Sequence, residues 1–197
     1  GSVGIKGGKI AAIGNLGSIE DLRRECKTVV DAKEMAVTPG FIDIHSHSDT
    51  NYFDCPLGDS RIYQGITTEV CGNCGDSPFP YSDQKYAEHK DELRHGYPYW
   101  QDADGYLDAL RKNKVGVNFL SYVGFGMLRS AVVGDNNVPP TKEQLDKMCQ
   151  LLDHEMEVGI IGMSTGLEYT PDAYASTDEI AELCKVVAKH NGLFAIH

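Results

Sequence analysis

The chain has few basic residues and no long apolar run. It contains 18 Lys and Arg against 29 Asp and Glu, which gives a formal net charge of −11. An acidic chain of this kind repels polyanions, so neither a nucleic-acid partner nor an anionic membrane is expected. No segment approaches the roughly 18 apolar residues that a bilayer-spanning helix needs. A membrane protein and a nucleic-acid-binding protein are therefore both disfavoured as classes.

The cysteines lack the regular spacing of a disulfide framework. The sequence has 6 of them, and they are scattered along 197 residues. We therefore expect free thiols and a reducing, cytoplasmic location, with no role assigned to Cys26, Cys55, Cys149 and Cys184. The composition is otherwise ordinary, with 41% hydrophobic and 24% charged residues, and indicates a globular rather than a disordered chain.

Two histidines follow a short apolar segment near the start of the chain. In residues 37–47, a Pro-Gly turn opens the run Gly-Phe-Ile-Asp-Ile, which ends in His45-Ser46-His47. The run predicts a strand buried in a parallel sheet. Because side chains at i and i+2 of a strand share a face, His45 and His47 can converge on one metal ion. The alternative interpretation of so short a motif is two unrelated histidines on a loop.

Two cysteines follow a second apolar, β-branched run. Residues 65–68 lead into Glu69-Val70-Cys71-Gly72-Asn73-Cys74-Gly75. A strand that ends in glycines brings its backbone close to a site, and a thiolate there suits zinc. As C-x-x-C, Cys71 and Cys74 also fit a redox pair or half of a structural zinc site, but no second half follows at finger spacing. Buried thiols without chemistry are the third interpretation.

Strands alternate with helices along the chain, which is the pattern of βα units around a parallel sheet. A hairpin is predicted over residues 3–13 and a helix over residues 18–24. Strands of the barrel type are predicted at residues 41–44, 67–71, 116–123, 159–164 and 193–196. Helices are predicted at residues 81–95, 105–113, 141–158 and 177–191. The irregular residues 76–104 are interpreted as an excursion over the mouth of the barrel.

Several segments together resemble the amidohydrolase superfamily, and within it the D-aminoacylase (N-acyl-D-amino-acid deacylase) family. The resemblance is carried in order by residues 39–49, 64–75, 162–169 and 193–197. It implies an α/β fold: a partial TIM barrel of the metal-dependent hydrolase type over residues 37–197, preceded by strands of a small β-sandwich over residues 1–36. A complete barrel has eight strands and about 250 residues. Since five strands are predicted, we expect the remainder of the same chain to close the barrel.

The resemblance also implies a zinc site. Carried over by position, it assigns Cys74 and His197 to a tighter zinc ion, and His45 with His47 to a possible second, weaker site. Many relatives bridge two metals with a carboxylated lysine on the fourth strand, whereas residues 160–166 contain none. That difference favours the cysteine-based variant of the site.

Other residues are assigned by position in the same pattern. Tyr169 is similar to the substrate-contacting tyrosine of the family and can donate a hydrogen bond to a developing oxyanion; its alternative is a tyrosine over the rim of the core. Glu168 is interpreted as a solvated carboxylate, with a contact to a ligand as the alternative. Asp43 and Asp49 are expected to orient a ligand imidazole. Cys74 is preferred to Cys71 as a ligand because glycines flank it.

The activity implied by the resemblance is zinc-dependent hydrolysis of N-acyl-D-amino acids, which are small-molecule partners. The general acid/base aspartate would lie beyond His197, so no catalytic residue is expected within these residues and the chain alone is expected to be inactive.

In residues 122–129, predicted as strand, Phe125 stands where the family often has a histidine, which leaves the acyl preference open. The alternatives are a cyclic-amide hydrolase similar to dihydroorotase or hydantoinase, which the missing lysine disfavours, and a non-catalytic metal-binding module.

Overall fold

The structure, a computed structural model, describes all 197 residues. The chain divides into two compact units, Gly1–Pro39 and Gly40–His197. The border lies three residues from the domain boundary predicted at residue 36. None of the helices combines the length and the hydropathy that a membrane span requires.

The first unit contains a β-hairpin and one short helix. Strands β1 (Ser2–Lys6) and β2 (Lys9–Gly14) pair antiparallel around a two-glycine turn. Helix α1 (Ile19–Glu25) begins after Ser18, whose side chain accepts a hydrogen bond from the backbone N–H of Asp21. The predicted hairpin and helix are both confirmed. A β-sandwich needs a second sheet, and it stays a prediction.

The second unit alternates strands and helices. Its strands are β3 (Phe41–Asp43), β4 (Ile66–Cys71), β5 (Leu93–Arg94), β6 (Tyr97–Pro98), β7 (Asn118–Ser121), β8 (Val123–Gly124), β9 (Gly162–Thr165) and β10 (Leu193–Ile196). Its helices are α2 (Asn51–Asp54), α3 (Asp59–Ile62), α4 (Asp83–His89), α5 (Ala103–Asn113), α6 (Phe125–Val132), α7 (Lys142–Val158) and α8 (Thr177–Lys189), with a 3-10 turn at Asp172–Tyr174.

Two parallel three-stranded sheets position the site. Their strand orders are β3-β4-β7 and β10-β9-β8. One residue, Tyr122, separates β7 from β8, so the third predicted strand is divided between the two sheets. The other four predicted strands are present at the expected positions. All six strands are parallel to their neighbours, so the carboxyl ends of the three strands in a sheet lie at the same edge of that sheet. The segments that follow β3, β4, β9 and β10 begin at these edges.

The longest helix follows its sequence signals closely. Helix α7 begins with a complete capping box between Thr141 and Gln144 and ends at Gly159, which has a φ of +119°. It packs with α5, α6 and α8 around a buried apolar core. The largest fully buried apolar side chains of this core are those of Phe79, Tyr106, Phe125, Leu128, Met148, Leu152, Met163 and Leu183, and Trp100 is 2% exposed.

Two secondary-structure predictions are wrong. The helix predicted over residues 81–95 ends at His89, because β5 and β6 form a hairpin around His95 and Gly96, both at positive φ. The strand predicted over residues 122–129 is helical from Phe125 onward. This run is short and apolar, and periodicity does not separate a buried strand from a buried helix at that length.

The outer strands of the two sheets expose large apolar side chains. Ile42 of β3 is 61% exposed, and Ile196 of β10 is 62% exposed. Phe41 and Leu193 on the same two strands are also exposed. Apolar strand residues of this size are normally covered by another part of a protein, so both sheets offer surface for further packing.

Candidate metal centre

The four predicted ligands converge at the carboxyl ends of three strands. Cys74, after β4, has its Sγ 3.3 Å from Nε2 of His45 and 3.2 Å from Nδ1 of His197. His45 and His47 follow β3, and His197 follows β10. The ligand atoms of His45, His47 and Cys74 all lie within 4.8 Å of one another. Cys74 is therefore the common neighbour of histidines from both sheets.

The histidine pair keeps the alternation of a strand beyond the end of β3. His45 and His47 are exposed on the face of the site, whereas Ser46 and Ser48 between and after them are buried. The backbone N–H of Ser46 donates to the carbonyl of Val70 at 3.0 Å, which extends the pairing of β3 with β4. Residues 44 and 45 form a bend, and it is the burial of the alternate serines that leaves both imidazoles on the exposed side.

A charged pair with a buried carboxylate lies behind the histidines. Glu69 of β4 is fully buried and forms an ion pair with Arg61, and it accepts a hydrogen bond from the hydroxyl of Tyr52. It also accepts from Ser46 Oγ at 3.2 Å, while Arg61 Nη2 donates to Ser48 Oγ at 3.1 Å. The pair thus fixes the serines of the His-Ser-His-Ser segment. Sequence reasoning missed it, although a carboxylate inside the apolar run of β4 is a signal of a buried, paired charge.

The turn that carries Cys74 has an unusual backbone. Gly72, Cys74 and Gly75 have φ values of +72°, +59° and +80°. A Cβ at Gly72 would lie 2.2 Å from the carbonyl oxygen of Tyr122, so only glycine fits there. Cys74 has a side chain and is strained at its φ, which is tolerated where the surrounding contacts fix the backbone.

Side chains from three segments fix this turn. Asp49 Oδ1 accepts the backbone N–H of Gly72 at 2.7 Å. Asn73 Nδ2 donates to the carbonyls of Val70 and Ser46 at 2.9 and 3.3 Å. Ser164 of β9 accepts the backbone N–H of Gly75 at 3.1 Å. Two of these three residues, Asp49 and Ser164, are distant from Cys74 in sequence, so local patterns do not reveal their contribution to its position.

The two cysteines of the C-x-x-C motif have different environments. Cys71 is fully buried, as predicted for a strand residue, and burial raises the pKa of its thiol. Cys74 is half-buried and faces the histidines. The pKa of its thiol is also raised, first by desolvation and then by the carboxylates of Glu168 and Asp76. These negative neighbours favour a cation at the site, and a bound cation in turn favours the thiolate.

Glu168 contacts the last of the four ligands. Its Oε1 lies 2.9 Å from Nε2 of His197, although its side chain is 64% exposed. The preferred interpretation of a merely solvated carboxylate is therefore wrong. A proton on Nε2 directed at Glu168 leaves the lone pair of Nδ1 facing Cys74, which is the tautomer that a metal ligand needs.

Tyr169 packs its ring on His197. The two ring centroids are 5.3 Å apart in an edge-on arrangement, and Tyr169 is 46% exposed. A hydrogen bond to Glu168 is the main reason that the pKa of its hydroxyl is raised. Tyr169 thus lies beside the ligands at the open side of the site. Its contact with substrate stays a prediction.

The two aspartates near the histidine pair have a different role from the predicted one. Asp43 Oδ1 accepts the backbone N–H of His45 at 3.2 Å, and Asp49 accepts that of Gly72. Burial raises the pKa of Asp49 to about 6. Both carboxylates hold the backbone of the segments that carry the ligands, and neither contacts an imidazole ring.

The remaining histidines lie away from the site, as expected. His89 pairs with Glu92 and His190 with Asp153 on other elements. His95 is exposed in the β5-β6 turn, where it stacks on Phe53, and His154 is exposed on α7.

The donor set and its spacing fit zinc. On a tetrahedral zinc ion, with sulfur at about 2.3 Å and nitrogen at about 2.0 Å, two ligand atoms lie roughly 3.5 Å apart. The separations of Cys74 Sγ from His45 and His197, 3.3 and 3.2 Å, are close to that value. A thiolate with imidazoles selects zinc over the harder magnesium and calcium ions. The geometry places His45 as near to Cys74 as His197, so it does not by itself divide the ligands between two ions.

Comparisons with known proteins agree with this chemistry. The profile of the Amidohydrolase family matches residues 28–193. A D-aminoacylase of Alcaligenes xylosoxydans xylosoxydans is 39% identical over 197 residues, which cover 99% of this chain and 40% of that enzyme. The chain thus spans about two fifths of the length of this curated relative.

Solved structures are similar as well. The N-acyl-D-glutamate deacylase of Bordetella bronchiseptica, complexed with zinc and a phosphonate inhibitor that mimics the tetrahedral intermediate, superposes with a TM-score of 0.71. It is 33% identical, and the match covers 81% of this chain and 34% of that one. A D-aminoacylase structure described as having a binuclear metal centre gives a TM-score of 0.69 at 35% identity, covering 80% of this chain and 34% of that one.

Proposed function

This chain belongs to the amidohydrolase family, and on that premise we propose that the whole protein uses zinc to hydrolyse the amide bond of N-acyl-D-amino acids. The observation that carries the proposal is the convergence of Cys74 with His45, His47 and His197. The relatives that match along the chain include a D-aminoacylase and an N-acyl-D-glutamate deacylase. Because the match covers 40% of the D-aminoacylase, the activity is proposed for a longer protein that includes these residues.

We propose that residues 37–197 form the first five βα units of a TIM barrel. The two parallel sheets and their intervening helices support this, as do the exposed apolar residues of β3 and β10, which later strands would cover. Residues 1–36 would contribute strands to a small β-sandwich, of which the β1-β2 hairpin is the visible part. The free cysteines support the predicted cytoplasmic location.

The ligands are proposed to serve one tight and one weaker zinc site. Cys74 and His197 would hold the tighter ion, and His45 with His47 a second one. Bound zinc polarises a carbonyl and lowers the pKa of water toward about 7, which is the chemistry that amide hydrolysis at neutral pH needs. The binuclear centre of a neighbouring D-aminoacylase structure supports two sites.

The residues of this chain would position the groups that react. Glu168 keeps His197 in the tautomer that presents Nδ1 to the site. Tyr169, beside His197, would donate its hydroxyl proton in a hydrogen bond to the substrate oxygen as charge develops there. The group that accepts and returns a proton is proposed to be an aspartate outside residues 1–197, so the 197 residues alone would lack turnover.

An activity panel on the full-length protein tests this function. Zinc-loaded enzyme should release free amino acid from N-acetyl-D-amino acids and much less from their L enantiomers. A chelator should abolish the reaction, and added zinc should restore it. Release from dihydroorotate or hydantoin in preference to linear amides would contradict the linear-amide assignment. The absence of any hydrolysis by a zinc-loaded, folded protein would favour a non-catalytic metal-binding module.

A further inference from the structure

One buried hydroxyl joins the two ends of the turn that carries Cys74. Ser164, in β9, is fully buried. Its Oγ donates to the carbonyl of Gly72 and accepts the backbone N–H of Gly75 at 3.1 Å. These contacts cross from one parallel sheet to the turn that follows the other. A single side chain therefore closes the Gly72–Gly75 segment on both sides of the cysteine.

The turn needs such a restraint because its backbone is unfavourable. Cys74 has a φ of +59°, in a region where a residue with a side chain is strained. The end of β9 also packs directly against it, since a Cβ at Gly166 would lie 2.6 Å from the carbonyl oxygen of Cys74. Strain of this kind persists only where neighbouring contacts fix the conformation. Without the hydroxyl of Ser164, the turn would relax and the thiol would move relative to the histidines.

We propose that Ser164 is a positioning residue for the zinc ligand Cys74. It acts through the turn and does not contact the metal. The inference rests on the proposed metal role of Cys74 and adds to it a specific residue on the fourth barrel strand. Partners that orient metal ligands typically matter by about 10–100-fold in metal affinity.

Ser77 provides a matched control. It is buried like Ser164, and its Oγ likewise donates to one backbone carbonyl, that of Phe79, and accepts one backbone N–H, that of Gly124, at 2.9 Å. Its two partners lie outside the Gly72–Gly75 turn. Gly124 packs against the carbonyl of Gly75, but neither hydrogen bond of Ser77 is made to the Gly72–Gly75 turn. Ser77→Ala therefore removes the same two kinds of hydrogen bond and none of those that close the turn.

The experiment compares the two variants in the full-length protein. Zinc affinity is measured by competition with a chelator, and the thiolate-to-cobalt absorption is recorded after saturation with cobalt(II). We expect Ser164→Ala to weaken zinc binding by about 10–100-fold and to change the cobalt absorption. We expect Ser77→Ala to weaken zinc binding less than Ser164→Ala and to change the cobalt absorption less, even where the two variants lose similar thermal stability.

Three results would overturn the inference. Ser164→Ala could keep the wild-type zinc affinity and cobalt absorption, or both variants could weaken zinc binding equally. Should Ser164→Ala fail to fold by circular dichroism, Ser164→Gly takes its place, and wild-type zinc affinity in that variant would be the third. Cys74→Ala is measured alongside to test the metal site separately from the role of Ser164. If Cys74→Ala loses zinc while Ser164→Ala keeps it, only the proposed role of Ser164 is wrong. If Cys74→Ala keeps zinc, the proposed metal site is wrong.

Discussion

Two Arg–Glu pairs with buried carboxylates differ in the exposure of the arginine and in the segments that they contact. The side chain of Arg61 is 32% exposed, whereas that of Arg129 is fully buried. Arg61 and Glu69 lie behind the histidine pair and contact the serines that alternate with the ligands. Arg129 of α6 and Glu179 of α8 are joined at 3.1 Å, and both are almost completely buried. The guanidinium of this second pair also donates to carbonyls of the segment after α6. A buried ion pair is thus a structural device, and its neighbours decide whether the site depends on it.

The comparison explains why burial and charge alone do not identify a functional site. Burial raises the pKa of Glu179 even though Arg129 lowers it, and one carboxylate oxygen of Glu179 has no hydrogen-bond partner. Such a pair is expensive to form and destabilising to break. Its partners are two helices and a connecting segment, so we expect it to serve stability. The pair behind the histidines should serve metal binding as well.

Breaking the second pair should have the largest effect. Glu179→Leu leaves the charge of Arg129 buried without a carboxylate and should lower the free energy of unfolding by about 3–5 kcal/mol. The double variant Arg129→Met/Glu179→Leu removes both charges and should recover most of that loss. Urea denaturation measures both. A zinc affinity reduced in folded Glu179→Leu would remove the distinction between the two pairs.

A buried carboxylate without an arginine sharpens the comparison. Glu155 of α7 is fully buried; its Oε2 accepts the backbone N–H of Ala103, and its Oε1 has no partner. Burial, with smaller contributions from Asp102 and Asp104, raises its pKa to about 7 from 4.5. The folded state therefore binds this proton more tightly than the unfolded state does, so the contribution of Glu155 to stability is greatest below pH 4.5 and is lost as pH rises through about 7.

The size of this loss can be measured with one substitution. The rise in the pKa of Glu155 corresponds to a loss of about 3 kcal/mol at most in the free energy of unfolding. Glu155→Gln cannot ionise, so its free energy of unfolding, compared with that of the wild type at pH 5 and pH 8, should fall less over that interval. An identical pH dependence in both proteins would show that Glu155 is ionised throughout.

Breaking the first pair should weaken metal binding. Glu69→Gln removes the charged carboxylate that Arg61, Tyr52 and Ser46 all contact. The His-Ser-His-Ser segment should then lose its fixed position. We expect zinc affinity to fall by about 10–100-fold, or roughly 1.4–2.7 kcal/mol. Glu179→Leu is the control, measured at a temperature where both variants are folded. Equal zinc affinities in the two variants would contradict the role of Glu69.

The exposed carboxylate of the site should have the smallest effect. Glu168 contacts His197, but it is open to solvent, where ion pairs contribute little. Glu168→Gln should change stability by less than about 1 kcal/mol. Its amide can still accept from Nε2 of His197, so zinc affinity should fall less than in Glu69→Gln. A larger loss of zinc affinity in Glu168→Gln than in Glu69→Gln would show that Glu168 matters more to the site than Glu69.

The sequence predicted the parallel strands and the histidine pair from local signals, whereas Cys74 and His197 were assigned by the family resemblance, and the role of all four as ligands stays a prediction. An apolar run, a Pro-Gly turn and the i, i+2 histidines are all contained within residues 37–47. The helix predicted over residues 141–158 is confirmed as well, and it begins with a capping box at Thr141. Membership of the amidohydrolase family, expected from the motifs, is confirmed by the profile match.

The residues that position the predicted ligands could not be predicted from local signals. Ser164 and the turn of Cys74 are about 90 residues apart, as the separations of 89 and 92 residues in their two hydrogen bonds show. Arg61 and Glu69 come from a short helix and a strand whose packing depends on the tertiary fold. Helix α6 was missed because its apolar run fits a strand equally well.

The central claim is that Cys74, and not its neighbour in the C-x-x-C motif, binds the tight zinc ion of the full-length protein. The most direct measurement is the zinc content of wild type, Cys71→Ala and Cys74→Ala after dialysis, by elemental analysis. Cys71 is the matched control because it lies three residues away and its buried thiol faces Ser46 and Ser48, whereas the thiol of Cys74 faces the imidazoles. We predict about one tightly held zinc per chain in wild type and Cys71→Ala, and its loss in Cys74→Ala. Full zinc content in Cys74→Ala would contradict the account.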